Sequence, residues 1–574
     1  MNAPAKVSAN ASVKVAPSIA PRADGPVVIN ALSELPFYTS VLSGRTGSHL
    51  VLLPAAVESH LVIIETGIKR ALVLFNPDSP VPLAPFIAQA RGRLIANKYQ
   101  LDGKDQPCSI SVLEHLTELA RSNEVDLEGL EDSNFSQSQA KEIFESWVNA
   151  AVREKATDIH VRVTNNVAQV HLRVDGDLEP LRDGQNGIYT PLQAERAMAW
   201  AYNNASGKGS NSESQFSTTE NLYCMIEPRE IAGQRVALRY QSVRGWSGTK
   251  LVCRLLYVDV DSPTLSYEQL GYARSQIQEL KNASNTPSGL IIFSGVTGSG
   301  KTTSLKTFIE THPHLEADAF YSLEDPVEYP LKGVHQIPIQ RDLIDRQASM
   351  AKFSEVIAGL MRADPGCVMM GEIRDSASAM AAQQIVETGH MACATVHAHL
   401  ISGIVPRLTN DEIGMSREVL TNPNMLTLLV YQALVPKLCT NCRINGSVYS
   451  RVYADSEHVY DILSLAEQRF GLTRDRFFFK NPRGCGRCRG RGTSGLTVVS
   501  EVYSPDTEWL KLIREAKDYD AMRYFRSKSN GQFDSPDMTG KTVFEHSLYK
   551  ALMGTVDLRV CERFDSFHRF EVLS

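Results

Sequence analysis

Residues 289–303, GLIIFSGVTGSGKTT, contain an apolar run, a glycine-rich turn and the start of a helical pattern. From Gly295 to Thr302 they fit the pattern G-x-x-x-x-G-K-[ST] in full. Glycines let the backbone curl so that successive N–H groups point at phosphates, and the helix that follows presents its positive N-terminus to the same charge. The stretch therefore predicts a phosphate-binding loop between a strand and a helix, and its context argues against a chance glycine turn.

We predict that this loop binds ATP together with Mg²⁺. Lys301 is expected to reach the β- and γ-phosphates, and the Thr302 hydroxyl is expected to bind the metal ion. The residues predicted to bind ATP are Gly295, Val296, Thr297, Gly298, Ser299, Gly300, Lys301, Thr302 and Thr303.

Further apolar segments follow the loop, namely AFYSL, GCVMMG and MACATV, and they alternate with helical patterns. Strands that alternate with helices indicate a parallel sheet with helices on both faces, so we predict an α/β domain over 266–438.

Hydrolysis needs a carboxylate near the γ-phosphate, and ligands bind at the carboxyl ends of strands in such sheets. Glu324, Asp325 and Glu328 follow the segment AFYSL, and Glu372 follows GCVMM after one glycine. We predict that these four residues are catalytic; the alternative is that they are solvated loop charges.

The rest of the chain divides by composition and pattern. HLVLLPAAV, HLVIIET and RALVLFN resemble strands, APFIAQARGRLIANKYQ has helical spacing, and ATDIHVRV and AQVHLRVDGDL alternate like paired strands. The predicted parts are a disordered leader (1–25), a small α/β domain (26–121), a linker (122–139), an α+β domain (140–265), a cysteine-bearing lobe (439–495) and a helical C-terminal region (496–574).

Composition excludes some classes of protein. The chain has 574 residues, 59 basic and 65 acidic, which gives a net charge of −6 and no sign of a protein built around nucleic acid. We find no apolar run of about 20 residues that could span a membrane. The first residues lack the pattern of a secretory signal, so we expect a cytoplasmic protein.

Ten cysteines are present, and four of them form two C-x-x-C turns, Cys439–Cys442 and Cys485–Cys488. Each turn can present two thiolates to one ion, and four thiolates close a structural Zn²⁺ site. We predict such a site on Cys439, Cys442, Cys485 and Cys488; the alternative is two buried or redox-active pairs.

Four boxes in this chain resemble those of the ATPases that drive type II secretion and type IV pilus assembly. They are GVTGSGKTTS, SLEDPVEY, MRADPGCVMMGEIRD and TGHMACATVHAH. Upstream, KATDIHVRV and HLRVDGDL resemble the start of the family's second N-terminal domain, and ALRYQSV and VCRLL resemble its end. The resemblance covers about 140–495.

The resemblance implies a RecA-like domain and a homohexameric ring with ATP between two domains of each subunit. It implies that Glu372 is the catalytic glutamate, that Glu324, Asp325 and Glu328 support metal and water, and that His390 and His397 sense the γ-phosphate. Arg239 and Arg254 match arginines that approach the phosphates. The implied partner is a platform protein at the inner face of the bacterial inner membrane, reached without direct membrane insertion.

The chain departs from the family pattern at several positions. Gly366 stands where Asp is usual, SASA follows GEIRD where an acidic residue is usual, Ala398 and His399 replace a threonine-asparagine pair, and Gln432-Ala433 replaces a glutamine-arginine pair. These departures suggest a divergent branch, such as a plasmid- or island-borne pilus system. The tetracysteine lobe favours assembly or secretion over pilus retraction.

Two other functions stay open at this point. A RecA-like core also supports nucleic-acid motors, but no aromatic residues interleave with Arg483, Arg487, Arg489 and Arg491 near the second cysteine turn. We therefore expect those arginines to form a solvated basic face. The other alternative is a scaffold that binds ATP without hydrolysing it.

Overall fold

The structure is a computed structural model. It describes residues 28–36, 38, 40–44, 50–67, 69–122, 137–182, 187–205, 215–258, 263–325, 327–339, 346–453 and 456–572. The predicted leader and most of the predicted linker lie outside these residues. None of the helices in these ranges combines the length and the hydropathy that a membrane-spanning segment requires.

The first unit contains a five-stranded sheet, a separate two-stranded sheet formed by β2 and β3, and three helices. Its strands are β1 (Ser40–Val41), β2 (Ser43–Gly44), β3 (Val51–Leu52), β4 (Leu61–Gly67), β5 (Arg70–Phe75), β6 (Gln100–Leu101) and β7 (Gln106–Pro107). Its helices are α1 (Ala55–Glu58), α2 (Ala84–Ala96) and α3 (Ile110–Ser122). The strand order is β1-β4-β5-β6, with β7 also on β5. One expected strand is corrected here: Ala55–Val57 is helical, because Pro54 lacks an N–H for a strand ladder and starts α1 instead.

The second unit is an antiparallel sheet covered by two helices. Its strands are β8 (Asp158–Val163), β9 (Ala168–Val174), β10 (Asp177–Pro180), β11 (Ile188–Tyr189), β12 (Leu222–Ile231), β13 (Gln234–Gly245) and β14 (Gly248–Tyr257). Its helices are α4 (Gln137–Arg153) and α5 (Pro191–Ala205). The order is β10-β9-β8-β14-β13-β12. Alternate residues of β8 and β13 are buried, as expected for a sheet with one covered face.

The third unit is built on a seven-stranded sheet with the order β17-β16-β18-β19-β15-β20-β23. The strands are β15 (Gly289–Ser294), β16 (Ala319–Glu324), β17 (Val334–Pro338), β18 (Pro365–Met370), β19 (Met391–Val396), β20 (Leu426–Leu438) and β23 (Thr493–Tyr503). The helices are α6 (Tyr267–Leu270), α7 (Arg274–Ser284), α8 (Lys301–Glu310), α9 (Arg346–Leu360), α10 (Ser376–Glu387), α11 (Ile404–Leu408) and α12 (Arg417–Leu420). The first six strands of that order are mutually parallel, and β23 runs antiparallel to β20. The chain therefore has an α/β fold with a mainly parallel sheet.

Successive residues of the central strands face opposite layers of helices. Leu290 and Ile292 belong to one apolar cluster, which includes side chains of α9 and α10, whereas Ile291 and Phe293 belong to another, which includes side chains of α7 and α8. Burial on both faces explains why these strands are continuously apolar in sequence.

The C-terminal part contains β21 (Ile444–Asn445), α13 (Gly446–Val452), α14 (Ser456–Phe470), β22 (Phe478–Phe479), α15 (Thr507–Arg514), α16 (Asp518–Ser527) and α17 (Val543–Leu552). Short 3₁₀ turns lie at Leu32–Glu34, Ile401–Gly403, Arg474–Arg476, Gly486–Cys488 and Leu558–Arg563. The expectation of a helical C-terminal region over 496–574 is corrected at its start: residues up to Tyr503 form β23, because the segment LTVVSEVY pairs with β20 and extends the main sheet.

Candidate functional site

The glycine-rich turn joins the end of β15 to the start of α8. Gly295, Gly298 and Gly300 have φ angles of 151°, 78° and 80°, which side-chain-bearing residues rarely adopt. A Cβ on Gly295 would lie 2.3 Å from the carbonyl oxygen of Gln432, so the loop also needs glycine there for close packing. Since the first N–H groups of a helix lack intrahelical partners, the start of α8 is suited to bind an anion.

Lys301 folds over this turn. Its Nζ donates hydrogen bonds to the carbonyl oxygens of Gly295 at 2.8 Å and Val296 at 3.1 Å. Burial lowers the pKa of Lys301 to about 8, although nearby Glu372 and Glu328 act in the opposite direction. The ammonium group is thus held at the phosphate loop. Thr302 follows it in the first turn of α8.

Glu372 and His397 meet beside Lys301. Glu372 follows β18 and His397 follows β19, and these neighbouring parallel strands end at the same edge of the sheet. His397 Nε2 lies 3.4 Å from Glu372 Oε1, and its Nδ1 lies 3.5 Å from Lys301 Nζ, both at the outer limit of hydrogen bonding. Burial and then the Lys301 charge lower the pKa of His397. A neutral imidazole with its proton on Nε2 suits both neighbours. Nε2–H can donate to the Glu372 carboxylate, and the unprotonated Nδ1 can accept from Lys301, whose ammonium group can only donate.

Glu324, the last residue of β16, is a buried carboxylate at this edge. Its Oε1 accepts hydrogen bonds from the Ser322 hydroxyl at 2.7 Å and from the Gln336 amide at 2.8 Å. Burial raises the pKa of Glu324. Asp325 follows directly, so both lie on the phosphate-loop side of the sheet. Gln336, on β17, was not predicted, because its role depends on the pairing of β16 with β17.

The two predicted arginines lie on the second unit, and each has a carboxylate partner. Arg239 of β13 donates to Glu328 at 2.8 Å, which links the second unit to the loop after β16. Arg254 of β14 donates to the buried Asp158 at 3.0 Å. Arg239 and Arg254 are cross-strand neighbours. Asp158 was missed because the sequence pattern shows only an acidic residue at the start of a strand.

His390 is not brought to this cluster. It precedes β19, and its carbonyl oxygen accepts the N–H of Gly289, the first residue of β15. His397 follows the same strand, which at about 3.3 Å per residue places the two histidines roughly 20 Å apart. The expectation that His390 senses the γ-phosphate is therefore corrected for the site within this chain: His390 and His397 lie at opposite ends of β19.

The four predicted cysteines converge. The first turn follows β20 and the second precedes β23, and these strands are paired. All four sulfur atoms lie within 4.8 Å of one another, with Sγ–Sγ distances of 3.8 Å for Cys439–Cys485, 3.8 Å for Cys442–Cys488 and 3.7 Å for Cys485–Cys488. A tetrahedron with Zn–S bonds of about 2.3 Å has edges of about 3.8 Å, so the arrangement fits one Zn²⁺.

Amide groups, two from the backbone and one from a side chain, donate hydrogen bonds to two of these sulfur atoms. Cys488 Sγ accepts hydrogen bonds from the N–H groups of Cys485 and Gly492, each at 3.1 Å. The side-chain amide of Asn441 donates to Cys485 Sγ at 3.4 Å. Donors aimed at sulfur favour the thiolate form that a metal requires and fix its direction.

A family model of type II/IV secretion system proteins matches residues 134–543, which include the phosphate loop, both arginines and all four cysteines. The chain belongs to this family.

Several curated proteins are similar in sequence to part of this chain. A protein transport protein HofB homolog of Escherichia coli is 31% identical over 302 residues, 53% of this chain and 60% of its own. The type IV pilus assembly ATPase PilB of Thermus thermophilus is 28% identical over 422 residues, 74% and 42%. The type II secretion system protein E of Klebsiella pneumoniae is 27% identical over 364 residues, 63% and 65%. The chain thus spans less than two thirds of the length of each.

The arginines beside the second cysteine turn do not form one solvated face, contrary to the expectation from the sequence. Arg491 is only 12% exposed and forms ion pairs with Glu154 and Glu179 of the second unit, and Arg489 donates to Glu154 at 2.7 Å. Arg483 and Arg487 are exposed as expected. The tetracysteine lobe is therefore docked on the second unit through charge-assisted hydrogen bonds.

Replacing Arg491 with Gln is expected to lower the free energy of unfolding by about 1–3 kcal/mol, because Glu154 and Glu179 both lose the ion pair that this mostly buried guanidinium makes with them. Arg487→Gln is the matched control, since that side chain is exposed in the same turn. Urea unfolding of the full chain measures both. Equal midpoints for the two variants would contradict a docking role for Arg491.

Proposed function

We propose that this protein hydrolyses ATP with Mg²⁺ to power the assembly of a type IV pilus, or of a type II secretion pseudopilus. The proposal includes type IVB and conjugative pili among the type IV pili. The observation that carries the proposal is the meeting of Lys301, Glu372 and His397 at the phosphate loop, in a chain that belongs to the type II/IV secretion family. The names of the pilus assembly and type II secretion relatives support the same reading.

Each residue of the proposed site has a distinct task. Loop N–H groups and Lys301 would bind the phosphates, and Glu372 would orient a water molecule and take its proton. His397 would report the γ-phosphate to Glu372, because its ring lies between Lys301 and Glu372. Arg239 and Arg254 would approach the phosphates from the second unit.

The oxygen donors at this edge suit Mg²⁺, which prefers hydroxyl, carboxylate and phosphate oxygens. Thr302, in the first turn of α8, and the carboxylates Glu324, Asp325 and Glu328 supply them. The ion would neutralise charge on the phosphates when bound. The hydrogen bonds that Glu324 accepts from Ser322 and Gln336 hold its carboxylate in one position, which supports this proposed role.

We also propose the setting in which the motor works. The chain would form a homohexameric ring in the cytoplasm and dock on a platform protein at the inner membrane, with no nucleic acid involved. The divisions at 26–121, 140–265, 266–438 and 439–495 would be its working domains, and a Zn²⁺ ion would hold the last of these together. Binding of ATP would close the second unit on the third, because Arg239 already contacts the loop after β16.

Phosphate release by the full chain with Mg²⁺-ATP tests the proposal, measured with and without single-stranded DNA. We expect turnover in the parent, no stimulation by DNA, and loss of both nucleotide binding and turnover in Lys301→Ala. Strong stimulation by DNA would favour a nucleic-acid motor. Binding without turnover, even with the membrane fraction that carries the partner, would favour a scaffold.

A further inference from the structure

Gln432 is an amide in the middle of an otherwise apolar strand. It lies on β20, in the run LTLLVYQALV, and it is completely buried. A buried amide costs stability unless it is hydrogen-bonded, so its partners explain why it is there. β20 is the direct neighbour of β15, and Tyr431 pairs with Ser294, the residue before the phosphate loop.

The phosphate loop rests on Gln432 at three points. The side-chain Nε2 donates a hydrogen bond to the carbonyl oxygen of Ser299 at 2.8 Å. The Gln432 carbonyl oxygen approaches Gly295 so closely that a Cβ there would clash, and a Cβ on Gly300 would lie 3.3 Å from Nε2. Both ends of the loop are therefore seated against one residue.

The orientation of this amide is determined by its surroundings. The Ser299 carbonyl can only accept, so the NH₂ group of Gln432 must face it. The opposite atom, Oε1, accepts a hydrogen bond from the Tyr272 hydroxyl at 2.6 Å. Tyr272 is itself buried and lies between α6 and α7, at the entry to the third unit.

We propose that Gln432, fixed by Tyr272, is a positioning residue that holds the phosphate-binding loop in its nucleotide-binding shape. In a trans peptide the C=O and the following N–H point in opposite directions. A hydrogen bond that fixes the Ser299 carbonyl toward the sheet therefore directs the Gly300 N–H away from it, to the side where phosphate binds. This inference rests on the proposed ATP-binding function.

Gln432→Met keeps the length and approximate volume of the side chain but removes the donor. We expect the full chain to bind the Mg²⁺ complex of a fluorescent ATP analogue about tenfold more weakly, as for a buried carbonyl that loses its partner. Tyr272→Phe should weaken binding about threefold, because Gln432 keeps its bond to Ser299 but loses its anchor. Tyr267→Phe is the matched control: Tyr267 is a buried neighbour of Tyr272 whose hydroxyl accepts from Thr311 instead.

A double variant separates positioning from general loss of structure. If Tyr272 acts through Gln432, Tyr272→Phe should cost nothing further in the Gln432→Met background. Melting temperatures without nucleotide check folding. Additive losses, or equal affinity in the parent and Gln432→Met, would overturn the inference. Failure of the parent to bind the analogue would instead overturn the proposed function.

Discussion

Glu372→Gln is expected to lower the rate of ATP hydrolysis by about a thousandfold while leaving nucleotide affinity within about threefold of the parent. The amide has the shape of the carboxylate but cannot take a proton from water. Glu372 lies at the phosphate loop beside His397, with Arg374 on its other oxygen at 3.4 Å. Phosphate release and binding of the ATP analogue measure the two quantities separately.

The matched control for this variant is Glu387→Gln. Glu387 ends α10, just before the edge of the sheet where His390 lies, and its carboxylate accepts a hydrogen bond from the Gln383 amide at 2.7 Å. We expect its turnover to stay at the parent's level. Turnover within fivefold of the parent in Glu372→Gln would show that another group is the base, and Glu324 would be the first to examine.

Replacing Cys485 and Cys488 together with Ala is expected to remove the bound metal and loosen residues 439–492. The parent should contain about one Zn²⁺ per chain, because four thiolates close one tetrahedral site. Structural zinc contributes about 10–16 kcal/mol of apparent binding free energy in small domains. Losing the ion should therefore destabilise the lobe by more than its packing contacts can offset. Elemental analysis measures the metal, and limited proteolysis locates the loosened segment.

Cys367 and Cys393 provide a matched control. Their sulfur atoms lie 3.7 Å apart, as close as those of the four clustered cysteines, but these two residues lie on β18 and β19 and are buried against helices of the third unit. Their double Ala variant should keep its zinc. A parent that is folded and free of metal would contradict the proposed site.

The parts of the site that follow directly from short motifs could be predicted from the sequence. A strand, a glycine-rich turn and a helix define the loop around Lys301 without reference to the rest of the chain. Glu372 follows from the rule that ligands bind at the carboxyl ends of parallel strands. The cysteines could be predicted because two C-x-x-C turns carry their own geometry.

Other features depend on pairings that the sequence does not display. Gln336 and Gln432 act through neighbouring strands, although a lone amide within an apolar run is a signal that a buried partner exists. The shared motif predicts that His390 and His397 lie together, but the six-residue strand β19 separates them. The sequence predicts that Arg491 is a solvated charge, because only the fold shows that Glu154 and Glu179 of the second unit lie beside it.

The pairing of β20 with β23 allows the segment between them to be inserted or deleted as a unit. Leu438 and Thr493 are opposite each other in the two strands. The chain therefore enters and exits the tetracysteine lobe at neighbouring positions at the end of this strand pair. A tight turn could join these strands directly, since antiparallel neighbours need only a two-residue connection. The lobe is thus a module that can be gained or lost without breaking the sheet that carries the phosphate loop.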